Sequence, residues 1–310
     1  MPTIANAIDL MKLSALSILL LLTPAPLVHS APCTLCLYGP DNMAFDTAGN
    51  VYLVDTDHKA RSRVLKLSPE GRVLADWHVF DSASGRNNGP DGIALDGEGN
   101  IFVVDRGGVQ ILKLSPAGRV LARFRGFPSR AFDFGGHVVI GKSGEIYGVA
   151  AASNLILKFS PQGNIVAKWH RAQGAGLDQW HNPETISIDN DGNLVIADWG
   201  NVRILTLSPN GHTVRAFAAV PNEPLKVSSV SGAVVGPDGN IYVADYQLLR
   251  VQAFNSHGRL LATIGNTPGN RLFEKAPNSI AIDRSGVLYA SDGLSVVKFS
   301  RAGKLLARWR

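Results

Sequence analysis

The sequence predicts an all-β fold, a six-bladed β-propeller of four-stranded antiparallel blades, on three observations. One unit recurs six times, its turn glycines falling at Gly49, Gly99, Gly144, Gly192, Gly239 and Gly286, with spacings of 50, 45, 48, 47 and 47 residues. Each copy carries four short apolar runs separated by Gly, Pro, Asn, Asp and Ser, the pattern of a four-stranded meander. The copies run in phase from Gly39 to Arg310, and the last is a standard copy rather than the polar cap an open solenoid needs.

The second copy shows how each element is specified. Gly89-Pro90-Asp91-Gly92 opens it, Ile93-Ala94-Leu95 is a nearly all-apolar first strand that reads as buried on both faces, and Gly97-Glu98-Gly99-Asn100 turns the chain. The second strand is Ile101-Phe102-Val103-Val104-Asp105 and the third Gln110-Ile111-Leu112-Lys113-Leu114. Ser115-Pro116-Ala117-Gly118 then turns it again, Pro pre-setting φ and Gly supplying a positive φ. The fourth strand, Arg119 to Phe124, mixes Arg with apolar residues, as an exposed edge does to discourage pairing with other chains. One such sheet cannot bury both faces, but six packed in a ring can, with blade six set on blade one and no obvious shared strand.

The ends and composition bound the rest. Residues 1–30 read as a signal peptide: Lys12 precedes the apolar run Leu13–Leu22, too short to span a bilayer, and Val28-His29-Ser30 places cleavage before Ala31. Export to a periplasmic or extracellular location follows, with no stable membrane span. Residues 31–38 form a tail with Cys33 and Cys36, the only two cysteines. Leu37 after Cys36 excludes c-type haem attachment, and the pair reads as a local staple or tail thiols rather than a redox or zinc motif. The chain carries a formal net charge of +5, its basic residues favouring the outer rim (Arg72, Arg119, Arg259, Lys304, Arg308). With export this argues against nucleic acid and leaves weak contact with anionic envelope polymers. The nucleophile-elbow pattern Gly-x-Ser-x-Gly does not occur.

The Pro-x-Gly-Ile-Ala-x-Asp openings, the centre Gly239-Asn240-Ile241-Tyr242-Val243-Ala244-Asp245 and Asn201-Val202-Arg203-Ile204 resemble NHL repeats. Pro90-Asp91-Gly92 and Pro277-Asn278-Ser279 are more distantly similar to strand starts of the regucalcin/gluconolactonase propellers. The first resemblance implies a scaffold that hosts enzymes, sensors and binding modules alike. The second implies a channel metal that polarises a lactone carbonyl. The zinc-binding amidating-lyase branch carries His after the repeat Pro, and no such His occurs here.

In a meander blade the start of the first strand and the end of the second meet at one face of the disc, so two residue sets converge there. The inner set is Asp41, Asp91, Gly136, Glu184, Ser231 and Asn278; the outer set includes Thr56, Arg106, Trp199, Tyr246 and Gly293. Asp41, Asp91, Glu184 and Asn278 form an oxygen-donor set suited to calcium, or less readily zinc. Blade three breaks the repeat, with Gly135 for Pro and Ala150 for the strand-end Asp, and Asp133, His137, His170, Trp180, His181 and Glu184 lie around it. The expected ligand-contacting residues are therefore Arg106, His137, Trp180, His181, Glu184, Trp199 and Tyr246, serving a small molecule or protein partner. Asp55, Asp105, Asp198, Asp245 and Asp292 recur once per blade and read as structural, pairing with residues such as Arg203.

Overall fold

The computed structural model describes residues 35–57, 61–80, 89–133, 135–218, 229–266 and 272–310; the signal-peptide reading and Cys33 lie outside them. Within this range the chain is six four-stranded antiparallel sheets, each in simple meander order. Blade one comprises β1 (Pro40–Phe45), β2 (Val51–Thr56), β3 (Ser62–Leu67) and β4 (Val73–Trp77). The other five begin at Pro90, Gly136, Pro183, Val230 and Ser279, and the last strand ends at Trp309. No helix among the described residues is long and apolar enough to cross a membrane.

Burial runs in layers from the axis outward. Second strands are buried along their whole length in all six blades, as in Val51–Thr56 and Leu194–Asp198. First strands are less buried, because they line a central channel, which corrects the expectation that they are the strands covered on both faces. Fourth strands are the exposed edges, with Val73, Leu74, Val166 and Leu306 all open to solvent.

One contact, repeated six times, joins the blades. The large side chain near the end of each fourth strand packs on the glycine of the next blade's second turn. The pairs are Trp77 on Gly118, Phe124 on Gly163, Trp169 on Gly211, Phe217 on Gly258, Ile264 on Gly303 and Trp309 on Gly71. All six glycines have positive φ, so the position needs glycine for conformation and for room. The last pair closes the ring, supported by Lys298 Nζ donating to Pro69 O at 3.0 Å and Ser279 Oγ donating to Asp41 O at 2.9 Å. No strand is shared across this junction, as the phase of the repeats requires.

Residues 35–38 are not a free tail. Leu35 and Leu37 pack against the cluster of Met43, Leu53 and Trp309, and Tyr38 N–H donates to Asp55 Oδ1 at 2.7 Å. Cys36 is disulfide-bonded, and its carbonyl accepts from Arg63 at 2.8 Å. Arg308, expected on the solvated rim, instead donates to Leu272 O and Ser295 Oγ.

Candidate functional site

The site begins with an irregularity in the sheet. In blade one Pro40 pairs with Asp55 but the next paired residue is Met43, opposite Leu53. Blades two, four and five repeat the shift, between Pro90 and Ile93, Pro183 and Thr185, and Val230 and Gly232. In three of these four blades the residue before the shift is proline, which has no N–H to give the ladder, so a bulge after it costs little. A bulge leaves residues off the ladder and re-aims their side chains, and here those residues are Asp41, Asp91, Glu184 and Ser231. Local chemistry thus turns the inner set toward the channel mouth.

These residues surround one pocket of about 220 Å³, lined by Asp41, Asp91, Arg106, Gly135, Glu184, Tyr246 and Asn278 among others. Asp91 is the carboxylate with fixed partners. Its Oδ2 accepts from Gly136 N–H at 2.8 Å and lies 3.7 Å from Arg106 Nη1, and its Oδ1 accepts from Asn42 at 3.3 Å. Arg106 is held by the carbonyl of Asp133 at 2.8 Å, while its Nε is buried with no hydrogen-bond partner. Gly135 leaves open a space where a Cβ would lie 3.4 Å from Asp91 Oδ2.

The remaining carboxyls share an uncompensated field. Burial, then the charge on Asp91, push Asp41 up to about 7, Arg106 opposing them. Burial, then Asp91 and Asp41, push Glu184 well above the usual carboxyl range, with Arg106 again opposing. Below the mouth, burial pushes His137 down to about 4 although it has a backbone hydrogen bond at Ile186, so the imidazole is neutral at physiological pH.

A pH dependence of stability follows, with a definite sign. A carboxyl whose folded pKa exceeds its unfolded value of 3.8 contributes stability at low pH that is lost as pH rises toward about 7. Glu184 acts in the same direction. His137 acts oppositely, losing stability as pH falls from 6.5 toward about 4, and contributes no slope above that range. Between pH 6.5 and 8 stability is therefore expected to fall, by about 1 kcal/mol from Asp41 alone. Thermal unfolding of Asp41→Asn across that window checks this: the variant should show a shallower decline than the parent.

The expected ligand contacts divide. Arg106, Glu184 and Tyr246 line the mouth pocket, and Tyr246 is half exposed. His137 lies not at the mouth but in the channel beneath it. Trp199 is exposed on the chain between the second and third strands of blade four, outside the pocket lining. His181 Nε2 lies 2.9 Å from Gln173 Nε2, and its backbone N–H donates to Asp198 Oδ1 at 2.6 Å; it does not reach the pocket. Trp180 is a correction. It is fully buried, packed with Tyr147, Ile186 and Leu205, its Nε1 donating to Asn154 O at 2.8 Å, so no ligand can touch it. Part of the irregularity of blade three is filled by core: Phe127, Ala131 and Phe132 pack around Ala150, where other blades place an Asp.

The recurrent aspartates are structural. Asp55 accepts from Arg63 at 2.8 Å, Asp198 from Arg203 at 2.7 Å, Asp245 from Arg250 at 3.1 Å and Asp105 from Gln110 at 2.7 Å. Asp292 accepts from Ser295 N–H at 2.7 Å. Each ties the end of a second strand to the loop around it.

The donors at the mouth are hard oxygens, the kind calcium prefers, but they do not fit a metal as arranged. Among the described residues no three His, Cys, Asp or Glu side chains gather closely enough to hold one. Asp91 is committed to Arg106, Asn42 and Gly136, and Arg106 adds a cation to the set. Among the described residues no histidine lines the mouth for zinc.

Comparison with known proteins agrees with this architecture. The model of the SMP-30/gluconolactonase/LRE-like region family matches residues 39–131. No curated protein matches the chain significantly. Among solved structures, a streptogramin B lyase superposes with a TM-score of 0.64 at 17% identity, covering 91% of this chain and 84% of its own. A catalytically inactive virginiamycin B lyase from Staphylococcus aureus with quinupristin gives 0.63 at 15% identity, covering 87% and 84%. A gluconolactonase from Xanthomonas campestris gives 0.59 at 16% identity, covering 85% and 86%. At such identities these likenesses speak for the fold. The NHL name is not exact, since the matching model is the one the second resemblance pointed to. The chain is a six-bladed β-propeller whose first two blades match the SMP-30/gluconolactonase/LRE-like region.

Proposed function

We propose that this protein is an exported propeller that binds a small polar ligand with a cationic head in the channel-mouth pocket. The carrying observation is the charge arrangement: among the described residues three carboxyls from three blades share one pocket with a single arginine, and that arginine is paired with Asp91. Asp41 and Glu184 have no cation of their own and are held toward their protonated forms, and an ammonium group would favour ionising them. The pocket's 220 Å³ suits a small head group rather than a large ligand. The apolar run before Pro24 and the disulfide at Cys36 support an oxidising, extracytoplasmic setting. Calorimetric titration with ethylamine tests the reading. Binding to the parent protein, weakened at least tenfold in Asp41→Asn/Glu184→Gln, is expected. Absence of binding, or equal binding by the double variant, would refute it.

One observation favours a second reading, lactone hydrolysis: the family match spans Asp41 and Asp91. It requires a divalent cation that the mouth as arranged does not fit. Elemental analysis of chelator-free protein with a lactone assay separates the two. Stoichiometric calcium or zinc, and turnover, both lost in Asp91→Ala, would establish hydrolysis; the binding reading expects neither.

A further inference from the structure

The mouth pocket does not end at its floor. Beneath it lies a second cavity of about 320 Å³, bounded by the first strands of all six blades. Asn42 and Thr185 line both, so the two spaces meet at their level.

The lower wall differs in chemistry from the mouth. It is largely apolar, with Met43, Ile93, Ala233 and Ile280 and the apolar residues that follow them along each strand, interrupted by Asn42, His137, Thr185, Ser187 and Arg284. Two of its hydroxyls are occupied in holding neighbouring blades: Thr185 Oγ1 accepts from Ala233 N–H and Ser187 Oγ from Val235 N–H, each at 3.1 Å. His137 is different. It stands one residue below the mouth level, after Gly136, and its Nδ1 is buried with no hydrogen-bond partner. That nitrogen is enclosed by protein rather than open to the channel, so the ring adds no free acceptor to the shaft.

We infer that the channel receives the hydrocarbon tail of an aliphatic amine whose ammonium head sits among Asp41, Glu184 and Asp91. This rests on the mouth-binding reading and adds the ligand class: an amphiphile, polar at one end only, matched to a polar mouth over an apolar shaft. A ligand that fills both spaces buries its tail against the channel wall as its head pairs with the carboxylates.

Calorimetry with ethylamine, butylamine, hexylamine and octylamine reads this directly, with the alcohol and carboxylate of the hexyl chain as controls. Affinity is expected to rise on the order of fourfold per added methylene until the channel is filled. Hexylamine should bind more tightly than hexanol, and hexanoate least. Ala44→Leu, which narrows the channel wall, should make the rise level off at a shorter chain. Ethylamine and octylamine binding equally would overturn the channel assignment while leaving mouth binding intact. Failure of every amine to bind would instead remove the mouth reading on which it rests.

Discussion

Arg203→Ala is expected to destabilise the protein by about 3–5 kcal/mol, because it would strand a buried carboxylate. Asp198 is fully buried, and its Oδ2 accepts from Arg203 Nε at 2.7 Å and from Asn201 at 2.8 Å. The same guanidinium donates to the carbonyls of Ala175, Gly176 and Gln179, at 2.6, 2.9 and 2.6 Å. It therefore fixes the segment that runs through His181 into Pro183 and Glu184, so a distant change in blade four disturbs the mouth as well. Arg203→Lys keeps a charge but not the fork, and should recover only part of the loss. Urea unfolding of the three proteins checks the order: parent, lysine variant, alanine variant. Equal stability of parent and alanine variant would mean the pair contributes nothing.

The second large effect concerns closure of the ring. Trp309→Ala is expected to cost about 3–5 kcal/mol, the usual range for removing a buried indole. Trp309 is nearly buried, packs within 5.8 Å of the Tyr289 ring centroid, and covers Gly71. A methyl group added at Gly71 would lie 2.5 Å from the indole nitrogen, so Gly71→Ala should be harmful for the same reason, with its positive φ adding strain. Trp77→Ala removes the equivalent contact between blades one and two, which remain joined through the chain. Hydrogen exchange separates the two cases. The Trp309 variant should expose the amides of blades one and six together, whereas the Trp77 variant should not. Identical exchange patterns would show that closure is no weaker than the other junctions.

The fold was legible because the information is repeated. Six copies of one meander, each with its own turn glycines, leave little freedom in where strands begin and end. The mouth was legible for the same reason: once the blade is a meander, Asp41, Asp91, Glu184, Ser231 and Asn278 must rise at one face, and all of them line the pocket. The blade-three neighbourhood was not legible. Trp180, His181 and Glu184 fall within five residues, yet Trp180 turns into the core, His181 toward Gln173, and only Glu184 into the mouth. A long inter-blade segment decides those directions, and it has no repeat-wide signature. Asn42, Thr185 and Ser279, which also line the mouth, were missed. Each directly follows a residue of the inner set, so counting one residue past each strand start would have found them. His137 was expected at the mouth and lies one level lower, because its place in the channel depends on how deep the mouth lies.

The most direct test of the account is proton release on amine binding, measured by calorimetry near pH 7 in buffers of different ionisation enthalpy. If the ammonium sits beside Asp41 and Glu184, it lowers their pKa values and displaces protons they hold when the site is empty. The account predicts that hexylamine binding releases a substantial fraction of a proton, and that Asp41→Asn/Glu184→Gln abolishes most of the release. Binding without proton exchange, or with release unchanged in the double variant, would place the ligand elsewhere and contradict the carboxylate mouth as the binding site.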